Sequence, residues 1–591
     1  MCGIVGYVGA RNAAPVVLEG LRKLEYRGYD SAGVATVGSG LHVSKGAGRI
    51  GDVEKKYSLS RLPGKTGVAH TRWATHGGVT DENAHPHTDC TGSVAIVHNG
   101  IIENFQELRR ELEGKGHKFK TQCDSEVFAH LVEEGISRRL ALEEAVFKAS
   151  QRIQGEYAVL AISADSPGKI AVARKDSPIV IGLAAGETFA ASDPIPLVGK
   201  AESVVFLDDF EGALLTRDGA EFYDLKTMQK IAKKPQKLEM GYEAASKGSH
   251  EHYYLKEILE EPEALRRALR QDEAHVHSIA LDILRAQRAM IIACGTARHA
   301  SLIGRYVLSK VGGKFCEVTL ASEFGYFSDS IGKESLVLGV SQSGETMDLL
   351  QPLKRVKANG AKIYSIVNVV GSSLARESEK TFYINAGPEI AVASTKAFVN
   401  QVAAFYMLAY SMQNKYDYIV GKLKEVADLS EKTLSENVAL AKALAKELKD
   451  KQHIYLIGRG INFAVATEGA LKIKELSYIH AEGMPGGELK HGTLALIEKG
   501  TPVIVLAPKD YTYNEIISNA MEAKARGARI IGLSDEPNEI FDEWFKIPKV
   551  EEIFYPLVEI LPIQLLSYYL TLELGRDPDK PRNLAKSCTV K

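Results

Sequence analysis

A cysteine directly follows the first methionine, in the stretch MCGIVGYVGA. Removal of Met1 before such a small residue would leave Cys2 with both a thiol and a free α-amino group. That amine has a reference pKa of about 7.7 to 8.0, so near neutral pH a substantial fraction can accept the thiol proton. Cys2 could therefore act as a nucleophile that carries its own general base. A buried strand would equally explain the apolar residues that follow it.

Other stretches of the N-terminal part carry the remaining groups that amide hydrolysis needs. In VHNG, a strand is expected to end at Asn99 and Gly100, where a side-chain amide and a backbone N–H can hold an oxyanion. Arg72 in HTRWATHGG could bind an α-carboxylate, and Asp124 in QCDSE could bind an α-ammonium group. Together they predict recognition of a free amino acid. Taken singly, VHNG is also typical of a hairpin turn, and the charged residues are typical of a solvated surface.

A second group of residues follows a strongly apolar strand in LVLGVSQSGET. The N–H groups and dipole of a helix N-terminus favour a dianion, and Ser341, Ser343 and Thr346 add hydroxyl donors. The stretch, with Gln342, therefore predicts a phosphate-binding loop. Thr296 in ACGTARHAS also follows a strand and could join it. The alternative is a plain N-cap, with Ser343 or Thr346 capping the helix.

Candidate acid and base groups lie further along the chain. Lys472 and Glu475 are three residues apart in GALKIKELSYIHAEG, so a helix would place them on one face. An exposed ion pair is the alternative for these two residues. His491 lies in a glycine-flanked loop, and its reference pKa near 6.5 suits proton transfer. The tail PRNLAKSCTVK is apolar and hydroxyl-rich, which predicts that it docks and carries Lys586 into a site.

Two patterns of secondary structure would position these groups. Up to about residue 240, short β-like runs alternate with turn residues, which predicts an α+β domain with sheets packed on one another. Beyond it, apolar strands alternate with longer helices, as in parallel α/β domains. The segment that starts at SLVLGVSQSGET has the same layout as the one that starts at TPVIVLAPKDYT, with Gly360 aligned to Gly527. We therefore expect two copies of one doubly wound domain, with different roles because only the first has the hydroxyl-rich loop.

Composition narrows the classes of function. A chain of 591 residues is too long for one core, and a net charge of −2 offers no basic surface for nucleic acid. No apolar run reaches the roughly 18 residues that span a bilayer, and the N-terminus lacks signal-peptide features, so a cytoplasmic protein is expected. The six cysteines include no CxxC pair, which argues against disulfides and a thiolate zinc site.

One histidine cluster offers a possible metal site: His70, His76, His85 and His87. These histidines lie in a loop-like stretch rather than at helical spacing, so neither a metal nor a cofactor is predicted.

Five motifs of the N-terminal part occur in one order between Met1 and Asn104: MCGIVGYVG, LEYRGYDSAG, HTRWATHG, NAHPH and VHNGIIEN. This stretch resembles the N-terminal-nucleophile glutaminase domain of class II amidotransferases. The resemblance implies that Cys2 attacks glutamine and releases ammonia. It also implies that substrate and oxyanion are held by Arg72, Thr75, His76, Asn99, Gly100 and Asp124.

The rest of the chain resembles the paired sugar isomerase (SIS) domains of the isomerising glutamine–fructose-6-phosphate aminotransferases. The matching motifs are CGT, SQSGET, VASTKAF, EGALKIKE, HAEGMPGGELKHG and PRNLAKS. The implied fold is an α+β N-terminal-nucleophile glutaminase domain, with sheets packed between helices, followed by two α/β doubly wound parallel-sheet SIS domains. The expected division is a glutaminase domain at 1–240, a linker with an initial helix at 241–275, SIS domains at 276–415 and 445–575, and a tail at 576–591.

The resemblance also implies roles for individual residues. The phosphate of the sugar would be held by Thr296, Ser341, Gln342, Ser343 and Thr346, with Val392 and Ser394 near the sugar. His491, supplied by the partner subunit of a homodimer, would assist ring opening. Lys586 would form a Schiff base with the ketose, and Glu475 would move a proton between C1 and C2 with Lys472 nearby. Trp73 and the docked tail would shape a passage for ammonia.

The implied reaction converts D-fructose 6-phosphate and L-glutamine to D-glucosamine 6-phosphate and L-glutamate. The sequence departs from the family at Ala297, where many relatives carry a serine, and in its last residues, SCTVK. No long insertion interrupts the glutaminase part. Three other functions stay open at this point: an amidase that acts alone, a sugar-phosphate sensor, and a deaminase that runs the SIS chemistry backwards.

Overall fold

The computed structural model describes residues 2–74, 76–237 and 247–586. These residues form two compact units. The N-terminal unit extends, among the described residues, to 237, and the C-terminal unit is Lys247–Lys586. The change of unit falls where the sequence pattern changes from short strands to alternating strands and helices.

Two antiparallel sheets of seven strands each form the centre of the N-terminal unit. Across the first sheet the strands are β11 (Ser203–Phe206), β9 (Val180–Ala184), β10 (Glu187–Ala191), β1 (Gly3–Gly9), β4 (Thr66–Arg72), β2 (Ser31–Val37) and β3 (Leu41–Ala47). Across the second they are β14 (Lys230–Ile231), β13 (Gly219–Asp224), β12 (Glu211–Thr216), β8 (Ile170–Lys175), β7 (Gly155–Ser163), β6 (Val94–Ile102) and β5 (His87–Thr88).

The two sheets pack face to face, and helices cover their outer faces. The helices are α1 (Ala13–Arg22), α2 (Ile50–Tyr57), α3 (Phe105–Gly114), α4 (Glu126–Ser137) and α5 (Leu142–Arg152). Ile4 of β1 and Leu160 of β7 belong to the core between the sheets. Val5 faces α1, where a Cβ on Gly20 would lie 3.1 Å from a methyl group of Val5. Because β1 is buried on both faces, GIVGYVG shows no alternation of apolar and polar residues.

The C-terminal unit contains two parallel sheets of five strands each. The first consists, in order across the sheet, of β16 (Glu317–Leu320), β15 (Arg288–Ala293), β17 (Ser335–Ser341), β18 (Lys362–Val367) and β19 (Lys380–Tyr383). The second consists of β21 (His480–Pro485), β20 (His453–Gly458), β22 (Pro502–Leu506), β23 (Arg529–Ser534) and β24 (Glu543–Lys546). Numbered within its own sheet, each has the doubly wound order 2-1-3-4-5.

The helices of this unit cover the two sheets and join them. Those up to the second sheet are α6 (Tyr253–Leu259), α7 (Glu261–Ala268), α8 (Glu273–Arg285), α9 (Gly295–Lys310), α10 (Ala321–Phe324), α11 (Met347–Ala358), α12 (Ser373–Glu377), α13 (Lys396–Ser411) and α14 (Tyr416–Leu448). Those that accompany the second sheet are α15 (Ile461–Ser477), α16 (Tyr513–Lys524) and α17 (Tyr555–Glu573).

The shared strand order confirms the duplication that the sequence predicts. The two aligned segments form β17, α11 and β18 in one copy and β22, α16 and β23 in the other. Gly360 and Gly527 occupy the same turn before the fourth strand, with φ of +93° and +90°. Residues with a Cβ rarely adopt this conformation, which explains the glycine in both copies.

One helical stretch of the described chain, Glu552–Glu573, is long and apolar enough by length and composition to cross a membrane. This differs from the expectation that no apolar run reaches the length of a membrane span. Within the unit, 89% of its apolar window is buried, as in the central helix of a globular core. Its partners in that core are α14 and α15.

Candidate active sites

The first site is built around Cys2, which precedes β1. The Trp73 N–H donates to the Cys2 sulfur at 3.2 Å, and the Asn99 side-chain amide donates to the Cys2 carbonyl oxygen at 3.0 Å. The next residue is also held, since the Gly3 N–H donates to the Thr71 hydroxyl at 3.1 Å. Strands β4 and β6 therefore fix the nucleophile from two sides. Burial raises the pKa of the Cys2 thiol, so this nucleophile needs a base to become a thiolate.

Strand β6 does not end at the expected place. It continues through Asn99 and Gly100 to Ile102, so the expectation that VHNG closes a strand is wrong. Gly100 has φ of +129°, and a Cβ there would lie 2.0 Å from the carbonyl oxygen of Glu156 on the neighbouring strand. The paired strand thus admits only glycine at the position next to Asn99.

A buried histidine orients Asn99. The Nε2 atom of His70 lies 2.9 Å from the His98 carbonyl oxygen and 3.1 Å from Oδ1 of Asn99. Burial lowers the pKa of His70 to about 3, so the ring is neutral at physiological pH. Because both neighbours are acceptors, Nε2 carries the hydrogen and donates to them. Asn99 must then direct its NH₂ group toward Cys2.

The two charged residues predicted to bind an amino acid lie close to the thiol. Beyond the effect of burial, the Arg72 guanidinium lowers and the Asp124 carboxylate raises the pKa of Cys2. Arg72 is buried and donates to the carbonyl oxygens of Gly77 at 3.3 Å, Gly78 at 3.1 Å and His76. One oxygen of Asp124 accepts the Ile102 N–H at 2.9 Å.

Three other residues predicted for this site are His76, Trp73 and Thr75. The His76 ring packs edge-on against Phe105, with centroids 5.4 Å apart. The Trp73 ring packs edge-on against Tyr29 at 5.7 Å. Thr75 lies outside the described residues.

The hydroxyl-rich loop between β17 and α11 forms a compact turn. The Ser341 hydroxyl accepts the Gly344 N–H at 3.0 Å and lies 3.2 Å from the Thr346 hydroxyl. Thr346 is the N-cap residue of α11, yet its side chain makes no capping hydrogen bond. Gly344 has φ of +67°, and a Cβ there would lie 2.2 Å from the Ser372 hydroxyl. This arrangement fits an anion-binding loop better than a plain N-cap, and Gln342 and Ser343 belong to the same turn.

A buried network forms where α9 meets α15. The Lys472 ammonium donates to Glu475 at 2.8 Å and to the Thr296 hydroxyl at 3.2 Å. Glu468, one turn before Lys472, accepts from Thr296 at 3.0 Å and lies 2.7 Å from Nδ1 of His299. Burial lowers the pKa of Lys472, but the carboxylates of Glu468 and Glu475 outweigh it and raise the pKa above its usual value. Lys472 is therefore a permanent cation beside the Glu475 carboxylate.

Another buried network surrounds Lys586. Its ammonium donates to Glu389 at 2.5 Å, and the two side chains are 3% and 0% exposed. Glu389 also accepts from the Ser394 hydroxyl at 2.6 Å and from the Thr395 N–H at 2.9 Å. Burial favours the neutral acid, yet Lys586 and these hydrogen bonds hold the pKa of Glu389 at about 2. Lys586 thus reaches a dry carboxylate, as the docked tail predicts.

The two networks share a neighbourhood. Burial raises the pKa of Glu261 well above its usual value, and both Glu389 and Glu468 add to this effect. Of the remaining predicted residues, Val392 is nearly buried and donates its N–H to the Asp579 carbonyl oxygen at 3.1 Å. His491 is exposed at the end of the short 3-10 helix Gly486–His491.

Sequence reasoning missed several of these neighbours. Glu468 could have been found, since it lies four residues before Lys472 and seven before Glu475, on the same helix face. Glu389 and His70 gave no such signal. Their partners lie far away in the sequence, 197 positions in the case of Lys586.

The fold and the family models define a class of protein: a glutamine amidotransferase domain joined to a pair of SIS domains. The model of the glutamine amidotransferase domain family matches residues 70–197. The SIS domain model matches twice, at residues 282–411 and 447–574.

Similar proteins identify the family. The chain is 45% identical to a glutamine–fructose-6-phosphate aminotransferase [isomerizing] of Thermococcus kodakarensis and 44% identical to that of Pyrococcus horikoshii, each over 100% of both chains. A solved structure, the C-terminal domain of glucosamine-fructose-6-phosphate aminotransferase from Francisella tularensis, is 34% identical. It covers 57% of this chain and 100% of its own, with a TM-score of 0.53. The chain belongs to the isomerizing glutamine–fructose-6-phosphate aminotransferase family.

Proposed function

We propose that the protein converts D-fructose 6-phosphate and L-glutamine to D-glucosamine 6-phosphate and L-glutamate. The observation that carries the proposal is that one chain holds two different sites. In the first, the Cys2 thiol lies beside the Asn99 amide. In the second, within the SIS pair, the buried Lys586 is paired with the Glu389 carboxylate. Amidase activity alone would leave the second site unexplained, and a sensor would need no buried lysines beside carboxylates.

The glutamine half of the reaction uses Cys2 after removal of Met1. The sulfur attacks the side-chain amide carbon of glutamine while the α-amine of Cys2 takes the thiol proton. The amide of Asn99 and the N–H of Gly100 hold the oxyanion. The C–N bond then breaks, ammonia leaves with a proton returned from the amine, and water hydrolyses the thioester to glutamate.

Arg72 and Asp124 recognise the α-carboxylate and α-ammonium of glutamine, with Thr75 and His76 beside them. The effect of both charges on the thiol supports this placement. Arg72 also holds the loop that contains His76, so substrate binding and loop position are coupled.

The sugar half begins at the phosphate. The dianion binds at the start of α11, where it is held by Thr296, Ser341, Gln342, Ser343 and Thr346. The hydroxyl of Thr346, free of a capping role, supports this assignment. Val392 and Ser394 line the sugar site, next to Lys586.

The chemistry then follows from the two buried networks. Lys586 first gives a proton to Glu389. Its free amine then attacks C2 of the open-chain ketose, and the carbonyl oxygen leaves as water when the Schiff base forms. Ammonia replaces the lysine, and the Glu475 carboxylate takes a proton from C1 and returns one to C2. Lys472 donates a hydrogen bond to Glu475 at 2.8 Å and so holds this carboxylate in position for both transfers.

Oligomeric state, location and domain boundaries are part of the same proposal. A homodimer joined through the SIS domains would bring His491 of the partner subunit to the sugar for ring opening. Both proposed substrates are charged metabolites, which supports a cytoplasmic location. The division at 1–240, 276–415, 445–575 and 576–591 follows the sequence pattern.

Cys2→Ala tests the division of labour between the two halves. The variant should lose glutamine-dependent synthesis but still interconvert fructose 6-phosphate and glucose 6-phosphate, because Lys586, Glu475 and Lys472 are unchanged. Product analysis by chromatography measures both reactions. Cys316→Ala, at a buried cysteine of the C-terminal unit, is the control and should keep both reactions.

Two outcomes would contradict the proposal. Absence of isomerisation in both variants would favour a sensor, and retained use of glutamine by Cys2→Ala would exclude Cys2 as the nucleophile. An intact mass that includes Met1 in fully active protein would also contradict the mechanism.

A further inference from the structure

A cluster of metal-ligand side chains lies in the N-terminal unit, apart from the residues assigned to glutamine. Cys90, His117, His130 and Glu133 each offer one possible ligand atom, and these atoms all lie within 4.8 Å of one another. Cys90 is in the turn between β5 and β6, His117 follows α3, and the other two lie on α4. Three separate elements therefore converge here.

The distances agree with a tetrahedral ion. The Cys90 sulfur lies 3.6 Å from Nδ1 of His117 and 3.5 Å from Nδ1 of His130. Zinc bonds of about 2.3 Å to sulfur and 2.0 Å to nitrogen separate these atoms by about 3.5 Å in a tetrahedron. Oε2 of Glu133 lies 2.9 and 3.0 Å from the two nitrogens, so it must withdraw by a few tenths of an ångström. The side chain is flexible and 16% exposed, and Oε2 also accepts the Cys90 N–H at 3.2 Å, so the shift lengthens or replaces that hydrogen bond.

Neighbouring groups support the ligands. The other ring nitrogen of His130, Nε2, is buried without a hydrogen bond and faces a carboxylate oxygen of Glu126 at 3.7 Å. A carboxylate behind a metal-bound imidazole is the usual second layer of a zinc site. The Lys118 N–H donates to the Cys90 sulfur at 3.4 Å, which favours a thiolate.

The turn that carries Cys90 is also ordered in advance. The Asp89 carboxylate accepts from the Val94 N–H at 2.9 Å and from the Ser93 hydroxyl at 3.1 Å. His117 is held by its own N–H, which donates to the Leu112 carbonyl oxygen of α3 at 3.1 Å.

We propose that Cys90, His117, His130 and Glu133 bind one zinc ion. One thiolate, two imidazoles and a carboxylate form a ligand set that suits Zn²⁺, and four protein ligands make a closed structural site. Binding releases the thiol proton to water, and the charges of the thiolate and the carboxylate balance that of the ion. The ion would fasten the turn before β6, the end of α3 and α4 to one another. Since Asp124 lies just before α4, the ion would also steady one wall of the glutamine site.

A second cluster, His85, His87 and Cys123, offers three buried ligand atoms and is the natural rival. This cluster has three ligands rather than four. Burial lowers the pKa of both His85 and His87 well below the usual value, so the two rings are neutral core residues without a metal.

The test uses the full-length protein, stripped with a chelator, dialysed and titrated with Zn²⁺ alone against a chromophoric competitor. We expect one zinc per chain. Cys90→Ser and His117→Gln should each weaken zinc binding by more than roughly 10- to 100-fold. A loss of that size is typical when a residue that hydrogen-bonds to a metal ligand is replaced. Glutamine keeps a polar side chain of similar size at this partly buried position, so the His117→Gln variant should fold normally. Cys123→Ser and Cys316→Ser, the matched controls, should bind zinc like the wild type.

Replacement with Co²⁺ gives a second readout that does not depend on enzyme activity. The wild type should show a thiolate-to-cobalt charge-transfer band and the strong visible bands of tetrahedral cobalt, and Cys90→Ser should lose the first. Zinc should also raise the melting temperature of the wild type but not that of Cys90→Ser. The proposal is overturned if the stripped wild type binds no zinc at micromolar concentration, if Cys90→Ser binds it unchanged, or if only Cys123→Ser loses it.

Discussion

At the scale of single residues, the surroundings of buried carboxylates decide their charge. Glu389 has an ammonium and several donors, and its pKa stays at about 2 despite burial. Among the described residues, the donors to Glu257 are the backbone N–H groups of Ile390 and Ala391. Burial together with the charge of Glu389 raises the pKa of Glu257 to about 8. Two carboxyl groups of one neighbourhood therefore differ in charge at neutral pH.

This difference predicts the pH dependence of Glu257→Gln. The folded-state pKa of Glu257, about 8, lies above the ordinary 4.5, so its contribution to stability is complete below pH 4.5 and is lost as the pH rises to 8. Glutamine stays neutral and its oxygen can accept the same N–H groups. At pH 8 the variant should be more stable by roughly 3 to 5 kcal/mol, and at pH 4.5 nearly unchanged. Chemical unfolding followed by far-UV circular dichroism at the two pH values measures this.

Glu260→Gln is the matched control for that experiment. Glu260 is near Glu257, but Lys396 pairs with it at 2.7 Å, and this partner outweighs burial and lowers the pKa of Glu260. The substitution should therefore destabilise the protein at pH 8. Equal effects of the two substitutions would contradict the charge assignment.

A second prediction at this scale concerns His70. His70→Leu removes the donor that orients Asn99. The turnover number for glutamine hydrolysis should therefore fall by about tenfold or more. The fall should stay smaller than the roughly 100-fold loss caused by removing an oxyanion donor itself. Synthesis with added ammonia should be unaffected. His70→Gln, which can still donate, should recover part of the loss; the same fall in both variants would point to a packing defect rather than to orientation.

At the scale of elements, glycines mark where two segments approach too closely for a side chain. Gly344 in the β17–α11 loop and Gly313 before β16 share nearly the same φ, +67° and +68°. A Cβ at Gly344 would lie 2.2 Å from the Ser372 hydroxyl, whereas no atom lies within 4 Å of one at Gly313. The backbone cost of alanine is similar at the two sites, but only one has a collision.

Gly344→Ala should consequently displace the phosphate loop. We expect the KM for fructose 6-phosphate to rise at least tenfold, equivalent to about 1.4 kcal/mol of lost binding. Gly313→Ala should leave this KM within twofold while showing a comparable loss of thermal stability. Steady-state kinetics with fructose 6-phosphate as the varied substrate gives the answer, and an unchanged KM in Gly344→Ala would argue against this loop as the phosphate site.

Periodicity in the sequence predicted these elements because each strand and helix is defined by nearby residues. The limits of elements were harder to predict: β6 continues through Asn99 and Gly100 because β7 pairs with it along its whole length, a long-range interaction. For the same reason, the apolar stretch around α17 could not be assigned to a core helix before its partners were known.

For the whole molecule, short motifs predicted the class of fold and most of the candidate site residues, since residues such as Lys472 and Glu475 are neighbours in sequence. Contacts between distant segments could not be predicted. Lys586 meets Glu389, His70 orients Asn99, and the four proposed zinc ligands come from three elements, without the CxxC spacing that would have revealed them.

The two halves of the reaction must exchange ammonia, because ammonium, which predominates at neutral pH, has no lone pair with which to attack a carbonyl group. In the proposed reaction, Trp73 would shape a dry path. Its backbone N–H donates to the Cys2 sulfur, while its ring packs edge-on against Tyr29. Trp73→Ala should therefore keep the thiol contact and glutamine hydrolysis but lose transfer, so that glutamate forms in excess of glucosamine 6-phosphate.

Measuring both products in one reaction mixture tests this coupling, and the yields should be equal in the wild type. Trp73→Phe preserves an apolar ring and should stay close to the wild-type ratio. Added ammonium salt should restore glucosamine 6-phosphate in Trp73→Ala, because the SIS site itself is intact. Equal yields of the two products in Trp73→Ala, without added ammonium, would show that the ring does not control the path of ammonia.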